Sequence, residues 1–325
     1  MQLKFSIQIL CLTLLLAQNA SWKVYAHDDK RNSKNKAGIK TIIVDAGHGM
    51  PDPGAQGSFS NEADINLGIA MKLGEKLKKA LPDCKILYTR TSRNLPNGLQ
   101  NKDAANRWRA QFANDNKGDL YISIHVNDVA ARYGRRVIGT REENYTTYTG
   151  KGKKRKKITG TRTVNVYESY RLPCATRGTQ TYVWSAAKND EKKGYINQEM
   201  SREYDMDTTF SMDEQEAKIL ASIYLKKYMN RSRALAELVE EEFRAKGLPS
   251  AGGAMQFNRG IKVLGATAMP SILVETGYIC NPADEQYLNS TSGQDTIADA
   301  IMNAVVIYKK NVEAGIITEG LQGAD

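Results

Sequence analysis

Long apolar runs are missing from all but the start of this 325-residue chain. After residue 26 no stretch is long enough to span a bilayer as a helix, which excludes a multi-span membrane protein. Cysteine is sparse too. Beyond residue 26 only Cys84, Cys174 and Cys280 occur, at spacings that match neither a zinc knuckle nor a redox pair. An odd count argues against a disulfide framework; it leaves room for one bridge and one free thiol, with the pairing open. Internal repeats and long low-complexity segments are absent, and Gly and Pro usage is ordinary, so one domain is expected. Histidine is scarcer still. With only His27, His48 and His125 in the whole chain, any imidazole chemistry rests on very few positions.

What is present begins with residues 1–26. Lys4 precedes an apolar run from Ile7 to Ala17, and Val24-Tyr25-Ala26 supplies a small residue at a cleavage point. That order predicts a secretory signal peptide. Cys11 lacks the small residue expected just before a lipidated cysteine. Residues 27–38 are polar and aperiodic and read as a flexible leader, which leaves His27 inert. The catalytic domain is expected over 39–313, with 314–325 as a frayed tail. The charge is localised: residues 128–176 hold twelve Lys and Arg against four Asp and Glu, and the rest of the exported chain is neutral.

Apolar patterning gives strands at 41–45, 85–89 and 120–124, alternating with helices over 62–80 and 102–114. This is the rhythm of an α/β fold, a single domain with a mostly parallel twisted sheet flanked by helices. It breaks at 140–149 and 158–170, which are rich in Thr, Tyr and Val and flank Gly150-Lys-Gly-Lys-Lys-Arg-Lys-Lys157. These read as an inserted hairpin with a basic tip. The α/β pattern resumes with a strand at 179–184. Ser211 and Glu214 form a capping box for a helix, or two, carrying Ile219, Ile223, Leu235, Leu238 and Phe243. A strand at 271–275, a helix opened by Asn281-Pro282 and a last helix near 293–310 complete the pattern.

His48 and His125 each follow a predicted strand at its carboxyl end, where open parallel sheets collect ligands. A hydrolytic zinc site takes three protein ligands and leaves one position open, and two His with one Glu is a known set. Glu62, at the start of the first helix, is the natural carboxylate; Asp45, Asp52 and Asp64 compete, Asp45 also as a group orienting a histidine. Glu275 closes a buried strand at the same edge. A carboxylate there is costly to bury without a partner, and beside an activated water it serves as general base and then acid. These residues predict a zinc site and leave the reaction open.

The segments IIVDAGHGMPDPGAQGSFSNEADINL, LYISIHVN and MPSILVETGYICNP together resemble the zinc-dependent N-acetylmuramoyl-L-alanine amidases of the cell-separation type. The resemblance covers roughly residues 40–127 and 176–310. It implies one Zn²⁺ held by His48, Glu62 and His125, with Glu275 as the catalytic carboxylate. It further implies peptidoglycan as substrate, cut between N-acetylmuramic acid and L-alanine. Met50 stands where a second Gly is usual, Ala63-Asp64 follows Glu62 where Glu-Lys is common, and the insert at 128–176 matches nothing in the pattern. With no wall-binding repeats, a periplasmic enzyme is expected. Some members carry a helix that covers the zinc until a protein activator withdraws it; the candidate here lies within 185–228, with plain surface packing the simpler reading. The basic tip suits anionic glycan, peptide carboxylates or lipid head groups. Nucleic acid is not an expected partner of an exported chain without a stacking module. A metal-free binding scaffold and a zinc peptidase acting on another wall bond are the remaining rival readings.

Overall fold

The computed structural model describes residues 38–205, 214–257 and 261–317. The export signal, the leader with His27, the Ser211 cap and tail residues 318–325 fall outside those ranges. In chain order the strands are β1 (Thr41–Ala46), β2 (Lys85–Tyr88), β3 (Leu120–Asn127), β4 (Tyr133–Thr149), β5 (Lys156–Arg171), β6 (Thr179–Val183), β7 (Ser250–Gln256) and β8 (Ser271–Tyr278). The helices are α1 (Glu62–Ala80), α2 (Lys102–Asp115), α3 (Asn189–Asp205), α4 (Glu214–Ala245), α5 (Lys262–Ala266), α6 (Pro282–Asn289) and α7 (Thr291–Glu313).

Six strands form the main sheet in the order β2-β1-β3-β8-β6-β7. The first four are mutually parallel; β6 runs antiparallel to β8 and parallel to β7. The chain leaves β1 through α1 to β2 on one side, then crosses back through α2 to β3 on the other. A crevice opens at that reversal, outside the carboxyl ends of β1 and β3, and it is where such sheets bind ligands. Both faces are covered, which is why the strands read as near-continuous apolar runs. Val44, Ile122, Ile124, Ile272 and Val274 pack under Ile65 and Leu73 of α1, Val239 and Phe243 of α4, and Ile301 and Val305 of α7. On the opposite face, Ile43, Tyr121 and Leu273 meet Ala113 of α2, Leu264 of α5 and Trp184. Each fully buried Leu, Ile or Phe of this kind contributes about 1.5–3 kcal/mol.

Side-chain caps fix the helix starts that position the site. Asn61 accepts from the Asp64 amide at 3.0 Å, Asn101 from that of Ala104 at 3.0 Å, and Asn281, before Pro282, from that of Ala283 at 3.0 Å.

Several expectations need adjustment. β3 and β8 continue past His125 and Glu275, so His125 lies within a strand instead of after it and Glu275 inside one instead of at its end. The hairpin starts earlier than 140: Tyr133–Val137 pairs with Tyr167–Arg171, and a bulge between Val137 and Gly139 had broken the alternation. α4 is one helix of 32 residues. Ile219 and Ile223 are exposed on it, while Ala221 and Leu225 face Ile196 of α3. The polar stretch after β6 holds α3, docked on α5 by Lys192, whose buried ammonium donates to the carbonyls of Leu264 and Thr267. The glycine-rich run at 250–256 is a strand, β7. Cys174 and Cys280 are bridged, and Cys84 is free and buried.

Candidate metal centre and catalytic edge

The crevice carries the residues singled out from the sequence. His48 follows β1 in a left-handed conformation, φ 61°, unusual for a residue with a side chain. Two contacts hold it there. Its Nδ1 lies 2.8 Å from Asp52 Oδ2, and its carbonyl accepts from Arg109 Nη2 at 2.5 Å. With Nδ1 donating to Asp52, Nε2 is left free to face the crevice, 3.3 Å from Glu62 Oε1. His125 reaches in from β3, with Nδ1 2.8 Å from the same Glu62 oxygen. One ligand atom each from His48, Glu62 and His125 falls within 4.8 Å of the others. Two neutral imidazole nitrogens and a carboxylate oxygen in such a cluster fit a zinc-type ion.

Glu62 is the best anchored of the three. Its Oε2 accepts from the Ala55 amide at 2.8 Å and its Oε1 from the Val126 amide at 3.2 Å. Burial alone would raise its pKa, but hydrogen bonds and charge from His125 and His48 hold it well below the usual carboxylate range. For His48, burial favours the neutral ring, yet Glu62 and Asp52 together raise its pKa. Both shifts arise from the close approach of the Glu62 carboxylate to the two imidazoles.

Close approach of the backbone makes this packing possible. A Cβ on Gly47 would lie 2.3 Å from His125 Nε2, and one on Gly54 would lie 2.5 Å from Glu62 Oε2. Only glycine lets the turn after β1 come so near the ligating groups.

Glu275 sits on β8 directly beside His125 on β3, with Gln180 of β6 on its other side. Among the described residues its Oε2 is sealed from solvent and has no hydrogen-bond partner. Burial first, and the charge of Glu62 second, push its pKa well above the usual range. A carboxyl group in that condition is available to exchange protons with something placed in the crevice.

The three competing aspartates have other roles. Asp52 orients His48. Asp64 pairs with Arg93 Nε and Nη2, both at 2.9 Å. Asp45 neither reaches the metal cluster nor touches a histidine. It is buried beneath the turn and accepts from Arg109 Nε at 2.8 Å, Ser123 Oγ at 2.6 Å and Thr89 Oγ1 at 2.5 Å. Burial would raise its pKa, but Arg109 and the two hydroxyls hold it at about 2.

Arg109, Arg90 and Asn66 were not foreseen. Arg109 also donates to the Ala46 carbonyl, and Arg90 donates to those of Ala46, Gly47 and Ala63. Asn66 Nδ2 lies 3.3 Å from the Gly47 carbonyl. Carbonyls that leave the sheet at the end of β1 have no strand partner, and these side chains satisfy them. One signal was available: Arg109 lies four residues after Ala105 and four before Ala113, a charge inside the apolar stripe of α2. Met50 is accommodated without a glycine, its amide donating to the Arg93 carbonyl and its own carbonyl accepting from Leu95. A cavity of about 190 Å³ opens onto His48 and His125, rimmed by Lys102, Asn106, Ile261 and Lys262.

Residues 42–306 match the family profile described as N-acetylmuramoyl-L-alanine amidase, Amidase_3. A probable cell wall amidase of Staphylococcus aureus, LytH, is 29% identical over 283 residues, covering 86% of this chain and 62% of its own. An uncharacterized cell wall amidase of Bacillus anthracis is 23% identical over 279 residues, covering 83% and 35%. The chain thus spans about a third to three-fifths of the length of these curated relatives. A crystal structure of an N-acetylmuramoyl-L-alanine amidase from Clostridium difficile 630 aligns with TM-score 0.49 and 22% identity, covering 84% of this chain and 97% of that one. With the match to residues 42–306, the chain belongs to the N-acetylmuramoyl-L-alanine amidase family.

Proposed function

We propose that this chain is a peptidoglycan hydrolase that cuts the amide between N-acetylmuramic acid and the L-alanine of the stem peptide. The observation that carries the reading is the cluster of His48, Glu62 and His125 donor atoms within 4.8 Å, with the unpartnered carboxyl of Glu275 one strand away. Those three residues would hold one Zn²⁺, which supplies Lewis acidity toward the amide carbonyl and toward a nearby water.

The chain's own groups do the rest. Asp52 fixes the His48 ring so that Nε2 faces the site. Amides of Ala55 and Val126 hold Glu62 in one rotamer. Glu275 takes a proton from the attacking water and returns it to the departing alanine amine. Its sealed, partnerless oxygen suits that exchange, because no existing hydrogen bond must break first. Lys102 and Lys262 line the rim, paired with Asp52 at 3.7 Å and Asp103 at 2.8 Å.

Such a substrate lies outside the cytoplasm, and no helix among the described residues is long and apolar enough to cross a membrane. With residues 1–26 acting as an export signal and residues 39–313 as the catalytic domain, the enzyme would work outside the cytoplasm, in a periplasm or in the extracellular space. The test is digestion of purified sacculi, with and without chelator, followed by mass analysis. Stem peptides starting at L-alanine, lost with chelator and in E275Q, support the reading; products cut at another bond remove it. Activity of the purified chain alone tests whether an activating protein is required.

A further inference from the structure

The hairpin formed by β4 and β5 is absorbed by none of this chemistry. Its strands pack chiefly on each other. From Tyr133 paired with Arg171 to Tyr148 paired with Lys157, the ribbon extends for about 50 Å at ~3.3 Å per residue. Its tip holds Lys151, Lys153, Lys154, Arg155, Lys156 and Lys157, and among the described residues no carboxylate pairs with any of them. Of the three acids farther down the ribbon, Glu168 pairs with Arg136 at 2.6 Å and Glu143 with Arg162 at 3.2 Å, and Glu142 lies opposite Thr163. Beside the cations stand Tyr148 and Ile158, 52% and 42% exposed, and the Arg155 guanidinium rests 4.6 Å from the Tyr148 ring centroid.

We infer that this tip is a docking element for an anionic lipid surface, which it binds through phosphate head groups. Three observations select that partner. The cations are concentrated at the tip, about 50 Å along the ribbon from the end joined to the sheet, on strands that carry none of the site residues. An exposed Tyr and Ile set among Lys and Arg match a membrane interface, where rings and aliphatic groups enter the boundary layer and cations stay at the phosphates. Finally, the rest of the exported chain is electrically neutral, so a charged plane attracts the molecule by this end alone.

The far end of the ribbon is fixed to the catalytic edge. Cys174, three residues after β5, is bridged to Cys280, two residues after β8. The Cys174 carbonyl also accepts from Asn281 Nδ2 at 3.0 Å. A tip docked on lipid therefore holds the crevice of β1, β3 and β8 at a set distance from the surface. The reach of the arm, not diffusion alone, then selects which layer of wall the enzyme meets.

Each cation near an anionic surface is expected to strengthen binding about fivefold. The experiment is flotation of the full chain with vesicles of phosphatidylcholine alone or mixed with phosphatidylglycerol, beside pelleting with purified sacculi. Wild type should bind the mixed vesicles, weaken with salt, and ignore the neutral ones. K153Q/K154Q/K156Q/K157Q should lose about 500-fold in vesicle affinity, with sacculus binding unchanged. K153R/K154R/K156R/K157R should keep the affinity, which separates charge from any disturbance of the turn. Equal vesicle binding by wild type and the Gln variant overturns the inference, as does wild-type binding that ignores head-group charge. Loss of sacculus binding with vesicle binding intact assigns the tip to wall polymer and overturns it as well. Because these readouts involve no hydrolysis, the inference fails or stands separately from the amidase reading.

Discussion

Asp45 and Arg109 form a buried pair, each 1% exposed, beneath the turn that presents His48. In D45N the Arg109 guanidinium keeps the carbonyls of Ala46 and His48 but loses its counter-charge in a dry setting. Breaking such a pair costs about 3–5 kcal/mol. The pKa of Asp45, held at about 2 against an ordinary 3.8, points the same way and corresponds to about 2–3 kcal/mol. The sign follows from linkage. A depressed carboxylate pKa gives stability that is present above 3.8 and lost as pH falls toward 2. Removing Arg109 instead, in R109M, leaves Asp45 buried with only the hydroxyls of Ser123 and Thr89. Its pKa then rises above the unfolded value, and stability falls with increasing pH across that window. The assay is urea unfolding of each variant from pH 3 to 7 with zinc-binding titrations alongside. D45N should lose about 3 kcal/mol and bind zinc at least tenfold more weakly, since the Arg109 guanidinium that holds the His48 carbonyl is no longer anchored by a carboxylate. D45N/R109M should recover much of the stability without the zinc affinity. A loss under about 1 kcal/mol in D45N, with zinc binding intact, would refute the claim that this pair holds the turn.

Four further outcomes follow from the same structure. E275Q should fold and hold zinc normally while sacculus hydrolysis drops about 10²–10⁴-fold; a parallel loss of zinc would move Glu275 from proton transfer to structure. G47A, whose Cβ would meet His125 Nε2 at 2.3 Å, should weaken zinc about 10–100-fold by isothermal titration. C174S/C280S opens a loop with a sequence separation of 106, and chemical denaturation should register a loss of about 4 kcal/mol. Lys192 is buried, which lowers its pKa from 10.5 to about 7. The cost of confining its charge is thus full below pH 7 and relieved as pH rises from 7 toward 10.5, so wild type should gain stability relative to K192M over that range; parallel pH profiles would oppose this.

The sequence by itself determined the parts that depend on local chemistry. Apolar runs of strand length, a helix with an Asn cap at 281, and His48, Glu62 and His125 as a group that comes together were legible because each signal lies within a few positions of its cause. So was the cationic tip, because charge needs no partner to be counted. Other features belonged to the tertiary structure. Whether Asp45, Asp52 or Asp64 joined the metal cluster depended on which side chains the turn after β1 brings near, and only Glu62 arrives there. The pairing of Cys174 with Cys280 required the hairpin's return to meet the end of β8. Arg109, Arg90 and Lys192 read as surface charges until the fold placed unpaired carbonyls around them. A buried polar group is defined by what surrounds it, and those surroundings come from segments far apart in the chain.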